Sequence, residues 1–182
     1  SEGKTLGIMF TIFQFPGTGG RFSHPSMLGI SDPETARFYS SRSSWQSGTL
    51  DSTAEGLPLA EARDAGFRWN SPDEVHIASV MNAAGTTEIA VEMTMAPTRD
   101  VLIHGEDGFI PMGDGIPSGY YSLTNLLPTN GTLRIGDQQH TITGGRIWMD
   151  RQWGDWTGAG YAWDWFSLRL DDGGALMLFQ FR

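Results

Sequence analysis

Apolar and polar positions alternate with a period of two along most of the chain. Ile89, Val91, Met93 and Met95 face one way with Thr87, and Thr86, Glu88, Ala90, Glu92 and Thr94 face the other. That is the pattern of a half-buried strand. Glu74–Met81 alternates in the same way, with Val75 and Ile77 opposed to Glu74 and His76. The short Asn82–Gly85 stretch between the two runs predicts a hairpin. A second hairpin is predicted from Thr132–Ile135 through Gly136-Asp137 to His140–Thr143. A third joins Trp163–Leu170 to Ala175–Phe181 through Asp171–Gly174, with Arg182 ending inside its second strand.

Leu6–Phe15 is apolar on both faces and predicts a strand buried on both sides. Shorter strands are expected near Met27–Ile30, Arg37–Ser40, Phe67–Asn70, Val101–His104 and Tyr120–Leu126. The weak stretch Leu59–Ala65 is the helix candidate. Twenty-four glycines and nine prolines punctuate the chain at short intervals. This rhythm belongs to an all-β antiparallel barrel or sandwich, with a helical fraction far below the roughly one third of an average domain. No repeat, linker or charge block interrupts it, so residues 1–182 read as a single β domain.

Composition narrows the chemistry. Twelve Lys and Arg against 21 Asp and Glu give a net charge of −9, which argues against nucleic acid and against anionic membrane surfaces. Lys4 is the only lysine, leaving Schiff-base chemistry one poorly placed candidate. Cysteine is absent, excluding disulfides, thiol nucleophiles and cysteine-held metal. No apolar run nears the roughly 20 residues of a membrane span. The compartment stays open. The start at Ser1 and the stop at Arg182 inside an apolar run suggest that both ends are cut.

Five of the seven tryptophans fall between Trp148 and Trp165, mixed with Asp150, Arg151, Gln152, Asp155 and Asp164. Alternation puts Asp150 on one face with Trp148 and Arg146. In the Trp163–Leu170 strand it puts Asp164 with Phe166, Leu168 and Leu170, opposite Trp163, Trp165, Ser167 and Arg169. A carboxylate in an apolar row is costly unless it is paired, and burial would make it a proton donor. Two readings stay open: carboxylates that cap strands or pair with Arg146 and Arg151, or an aromatic-walled cavity with acids at its rim. The four histidines lack metal-ligand spacing, and His104-Gly-Glu-Asp-Gly reads as a turn. No metal or cofactor is expected.

The blocks Gly119-Tyr-Tyr-Ser-Leu-Thr, Gly131-Thr-Leu, Gly144-Gly-Arg-Ile-Trp-Met-Asp-Arg-Gln-Trp-Gly and Trp163-Asp-Trp-Phe-Ser-Leu-Arg-Leu-Asp-Asp-Gly resemble the AttH/CrtC-type lipocalin-like proteins. That group includes carotenoid 1,2-hydratases, kievitone hydratase and decalin-forming Diels–Alderases. The resemblance is close from Leu102 to Phe181 and looser before. It implies a lipocalin-like β-barrel or strongly curved β-sandwich as the first of two tandem β domains, with the opening strand and the second domain missing. It also implies a small lipophilic ligand. Two positions depart from the carotenoid hydratases: Arg151-Gln152-Trp153 stands where they carry His-x-Trp, and Phe179-Gln180-Phe181 where they carry Tyr and Asp. Hydration is the activity these departures bear on.

The expected function is therefore an enzyme acting on an isoprenoid or polyene alkene by hydration, isomerisation or cyclisation. Asp150 or Asp164 would move the proton. Trp148, Trp153, Trp163, Trp165 and Phe166 would wall the cavity and steady cationic charge through their ring faces, while Gln152 and Tyr121 would orient a polar group or water. The alternatives are a non-catalytic carrier of a hydrophobic ligand, and a glycan-binding module or glycosidase.

Overall fold

The computed structural model describes residues 3–47, 56–83, 86–112, 115–155 and 162–181. Among these, the chain forms strands throughout, with a single 3-10 turn at Thr18–Gly20. The first strands are β1 (Gly7–Ile12), β2 (Phe15–Pro16), β3 (Phe22–Asp32), β4 (Arg37–Ser47), β5 (Leu59–Glu61), β6 (Ala65–Ser71), β7 (Glu74–Ala83) and β8 (Thr87–Pro97). They are followed by β9 (Leu102–Ile103), β10 (Phe109–Met112), β11 (Ile116–Ile135), β12 (Gln138–Thr141), β13 (Ile147–Gly154), β14 (Trp163–Arg169) and β15 (Ala175–Phe181). The chain is all-β, as the alternation predicts. It divides into two compact units, residues 1–96 with 128–145 and residues 97–127 with 146–182. The boundary falls inside β11 at Leu127–Pro128, so no linker in the composition marks it.

In the first unit, β3 pairs antiparallel with β1, β2 and β4. A meander β5-β6-β7-β8 continues to the Pro128–Ile135 end of β11 and to β12. The expected hairpin of β7 and β8 forms, with Val75 opposite Met95 and Ala83 opposite Thr87. Val75, Ile77, Met81, Ile89, Val91, Met93 and Met95 are buried together with Leu28, Ile30, Trp69 and Leu133. Residues 84–85 of the turn lie outside the described residues. In the β11–β12 hairpin, Ile135 faces Gln138 across Gly136-Asp137, and Gly136 takes the positive φ of 56° that such a tight turn demands.

Two expectations are corrected. Leu59–Ala65 is not helical: Leu59 pairs with Arg68 and Glu61 with Gly66, and Ala62 N–H donates to Ala65 O to close a tight turn. A weak local helix preference loses to cross-strand pairing. The opening strand is not buried on both sides, since Ile8 and Met9 are 37% and 50% exposed. Among the described residues it pairs with β3 alone, so it is an edge rather than a central strand.

In the second unit, the Ile116–Leu127 part of β11 is flanked by β13 on one side and by β9 and β10 on the other. The expected β14–β15 hairpin forms, with Asp164 opposite Gln180 and Arg169 opposite Ala175. Arg182 lies outside the described residues. Between Leu123 and Leu126 the register of β11 against β13 shifts by one residue, a β-bulge at Thr124-Asn125.

Two predictions follow from the first unit. A Cβ at Gly131 would sit 2.7 Å from the Glu92 carbonyl oxygen, a backbone atom that cannot swing away. Gly131→Ala should cost about 1–3 kcal/mol of stability by chemical denaturation. Asp32 holds the β3–β4 turn, accepting from Thr35 Oγ1 and Lys4 Nζ, each at 2.7 Å, and from Glu34 N–H. The Lys4 ammonium and the Thr35 hydroxyl lower its pKa from 3.8 to about 2. A carboxylate with a depressed folded-state pKa stabilises the fold above its unfolded pKa and loses that effect as pH falls. The stability gap between the wild type and Asp32→Asn should be complete above pH 3.8 and close as pH falls toward about 2.

Candidate functional site

The register of β11 against β13 places Ser122 directly opposite Asp150, and Tyr120 opposite Gln152. Period two then puts Tyr120 and Ser122 on the face that carries Trp148, Asp150 and Gln152. On the other edge of β11, Ser122 lies opposite Leu102 of β9, and the backbone N–H of His104 donates to Tyr120 O at 3.2 Å. Three neighbouring chain segments therefore deliver His104, Ser122 and Asp150 to one place.

Their side chains form a continuous hydrogen-bonded row. Ser122 Oγ donates to Asp150 Oδ1 in a short bond. His104 Nε2 lies 2.7 Å from the same Ser122 oxygen. A hydroxyl has one proton to give, so with Ser122 donating to Asp150 it is His104 that donates, through Nε2–H. Trp148 Nε1 adds a second donor to Asp150 Oδ1 at 2.8 Å, and the Asp150 charge acts on the Tyr120 hydroxyl nearby. Ser122 and Tyr120 are buried, and Asp150 is half-buried. Among the described residues the carboxylate is thus compensated by two neutral donors rather than by an arginine.

An aromatic layer covers this row. Trp165 Nε1 donates to the Tyr120 hydroxyl at 3.1 Å, and the Trp148 and Trp165 rings meet edge to face at 6.5 Å. Tyr120 also packs edge to face on Phe179 at 6.2 Å, and Phe179 on Trp163 at 6.4 Å. The His104 ring lies 4.6 Å from that of Tyr120. Burial, and then the Asp150 charge, push the Tyr120 hydroxyl well above the usual phenol range, so it stays a donor. Burial lowers the His104 pKa, with the Asp150 charge opposing.

The nominated residues separate into three places. Asp150, Trp148 and Trp165 join the row, with Trp163 one ring away through Phe179. Gln152 shares the Asp150 face and donates to Met112 Sδ at 3.3 Å. Tyr121 and Trp153 occupy the opposite face of the sheet and touch edge to face at 5.9 Å. Trp153 lies flat against Gly119, where a Cβ would collide with its ring. Asp164 and Phe166 sit on the face of β14 that points away from Trp165. Asp164 is half-buried there and Phe166 is 54% exposed. The apolar row beside Asp164 is open to solvent, so the cost expected for an enclosed carboxylate does not arise. Among the described residues, no cluster of His, Asp and Glu could hold a metal ion.

His104, Ser122 and Tyr120 were not singled out by the sequence. His104 begins the expected turn, in which Gly105, Asp107 and Gly108 have positive φ, and the turn reading gave its ring no partner. Alternation already paired Tyr120 with Ser122, but only the strand register reveals what they face.

The order carboxylate–serine–imidazole is not that of a nucleophilic triad, in which the imidazole stands between the other two. Here the serine is the bridge, which suits moving a proton between His104 and Asp150 beneath an apolar, aromatic cover. Fold and site thus define an all-β protein with an acid–base row under aromatic rings. The AttH-like family profile matches residues 1–182, and the chain belongs to that family. A solved structure of a protein from Nitrosomonas europaea, assigned provisionally as an AttH, has a similar fold with a TM-score of 0.80 and 24% identity. The similarity covers 99% of this chain and 56% of that one. No curated protein sequence matches the chain.

The row makes two predictions. His104 should titrate below 6.5 by NMR, and lower still in Asp150→Asn, which removes the charge that favours the imidazolium. Because its folded pKa is depressed, the stability tied to His104 should be lost as pH falls through 6.5 and present above it. Ser122→Ala strands two half-buried partners and should cost about 1–3 kcal/mol in thermal or chemical unfolding.

Proposed function

We propose that the second unit carries a proton-transfer site acting on an alkene in a lipophilic isoprenoid- or polyene-type substrate. The observation that carries the reading is the His104–Ser122–Asp150 row beneath the rings of Tyr120, Trp148 and Trp165. One proton shared by the row resides either on His104 or, after transfer through Ser122, on Asp150. Burial disfavours the imidazolium, and the Asp150 charge opposes that effect.

Protonated Asp150 then gives its proton to an alkene carbon: a C–H bond forms, the π bond breaks and the adjacent carbon becomes cationic. The aromatic faces stabilise that charge. Addition of water and loss of its proton completes a hydration, loss of a proton from a neighbouring carbon an isomerisation, and attack by a second alkene followed by proton loss from the cyclised cation a cyclisation. In each case the released proton returns to the row. Gln152 is placed on the same face to orient water or a polar group of the substrate. Lyase or isomerase chemistry of this kind requires no cofactor.

A carrier role is the second reading. Its support is the outward face of the β14–β15 hairpin, where Phe166, Leu168, Leu170, Leu176 and Leu178 are all more than 40% exposed, an apolar patch of the kind that receives a partner. We assign the cover of that patch to a second β domain. The similar solved chain is longer than this one, which spans 56% of it.

Incubation of the full-length protein with candidate polyenes, with products followed by mass spectrometry, tests the enzyme reading. Asp150→Asn should lower turnover by roughly 10²–10⁴-fold. Asp164→Asn should leave it unchanged. A pH-independent protein that retains ligand without product would instead be a carrier.

A further inference from the structure

Three of the chain's twelve cationic side chains, Arg99, Arg146 and Arg169, line a single cleft of about 120 Å³ beside the β11 bulge. That is room for several waters or one oxyanion. The bulge explains why the cleft exists. Leaving the ladder frees the Thr124 carbonyl, and Arg169 Nε donates to it at 3.2 Å, while Nη1 donates to Arg146 O at 3.3 Å. Arg169 is thereby fixed with guanidinium N–H groups to spare. Arg146 begins the approach to β13, and Arg99 lies over the β14–β15 turn, its Nη2 3.1 Å from where a Cβ of Gly173 would stand.

Among the described residues, no carboxylate lies within ion-pair distance of these three guanidinium groups. This is notable in a chain with 21 acidic residues. Asp172, in the adjoining turn, gives its Oδ1 to Gly174 N–H at 2.8 Å. Burial and the nearby Arg146 charge both lower the Arg169 pKa, the signature of cations crowded together without a counter-ion. A second, open groove of about 620 Å³ shares Arg99, Thr124 and Ala175 with the cleft and continues over Val101 and Leu102, with Asp100 on its rim.

We propose that the Arg99–Arg146–Arg169 cleft binds an oxyanion, a carboxylate or phosphate, that heads an amphiphile whose apolar tail lies in the adjoining groove. Arginine forks suit both groups, and the exposed Val101 and Leu102 supply the apolar surface. This site is independent of the reading of Asp150 and would stand if that reading failed.

Calorimetry on the full-length protein at low ionic strength tests it, with decyl phosphate, decanoate, decanol and inorganic phosphate, each amphiphile below its micellar concentration. One decyl phosphate or decanoate should bind per chain, decanol should not, and added salt should weaken binding. Arg99→Gln and Arg146→Gln, whose guanidinium groups hold no part of the fold together, should each weaken anion binding by roughly ten- to a hundredfold, the scale of one charge-assisted hydrogen bond. Their unfolding curves should match the wild type. Inorganic phosphate binding as tightly as decyl phosphate would overturn the tail and make a free oxyanion the ligand. Absence of anion binding, or equal affinity in both variants, would overturn the site.

Discussion

The second unit is organised around one carboxylate set into a sheet face. A carboxylate that leaves water must regain its hydrogen bonds within the protein. Asp150 does so with Ser122 and Trp148, drawn from two adjacent strands. That requirement specifies the register of β11 against β13. A slip by one residue would bring Met149 or Arg151 opposite Ser122 and turn Asp150 to the other face. It also fixes the rings. Trp148 is turned to donate to the carboxylate, and Tyr120 accepts from Trp165 and so ties the β14–β15 hairpin to β11.

Local patterns in the sequence were enough for the hairpins. The β7–β8, β11–β12 and β14–β15 pairs each join strands through a short turn, so alternation and turn residues fix which strands meet. The same logic made Asp150 and Trp148 neighbours, two residues apart on one strand. What was not legible depends on pairing between distant segments. His104 meets Ser122, and Ser122 meets Asp150, because β9 and β13 flank β11 across 18 and 28 residues of chain. Leu6–Phe15 shows the complementary failure. Its apolar content was read correctly, but apolarity alone does not distinguish an edge strand from a central one. For Asp164, alternation gave the correct companions on its face, but the burial of that face depends on what covers it, which no single strand encodes.

The bulge at Thr124-Asn125 divides the β11 face into two chemically different stretches. On one side, Ser122 is consumed by the carboxylate row and Tyr120 accepts from Trp165. On the other, the displaced Thr124 carbonyl is satisfied by Arg169, a residue that brings more donors than the carbonyl can use. Strand irregularities commonly re-aim side chains beside functional sites, and here the irregularity changes the sign of the local charge within a few residues.

The short strand β9 links the two stretches. Leu102 lies opposite Ser122 and also lines the groove that leaves the arginine cleft, while His104, two residues on, supplies the imidazole of the proton row. From Thr124 to Ser122 is about 7 Å along an extended strand, so the anion cleft and the acid–base row lie within the reach of one medium-sized amphiphile. A neutral polyene would have no use for three unpaired arginines, and a small hydrophilic anion none for the exposed Val101 and Leu102. The two proposed sites together call for a ligand with an apolar body and one acidic end, whose length sets how near that body comes to Asp150.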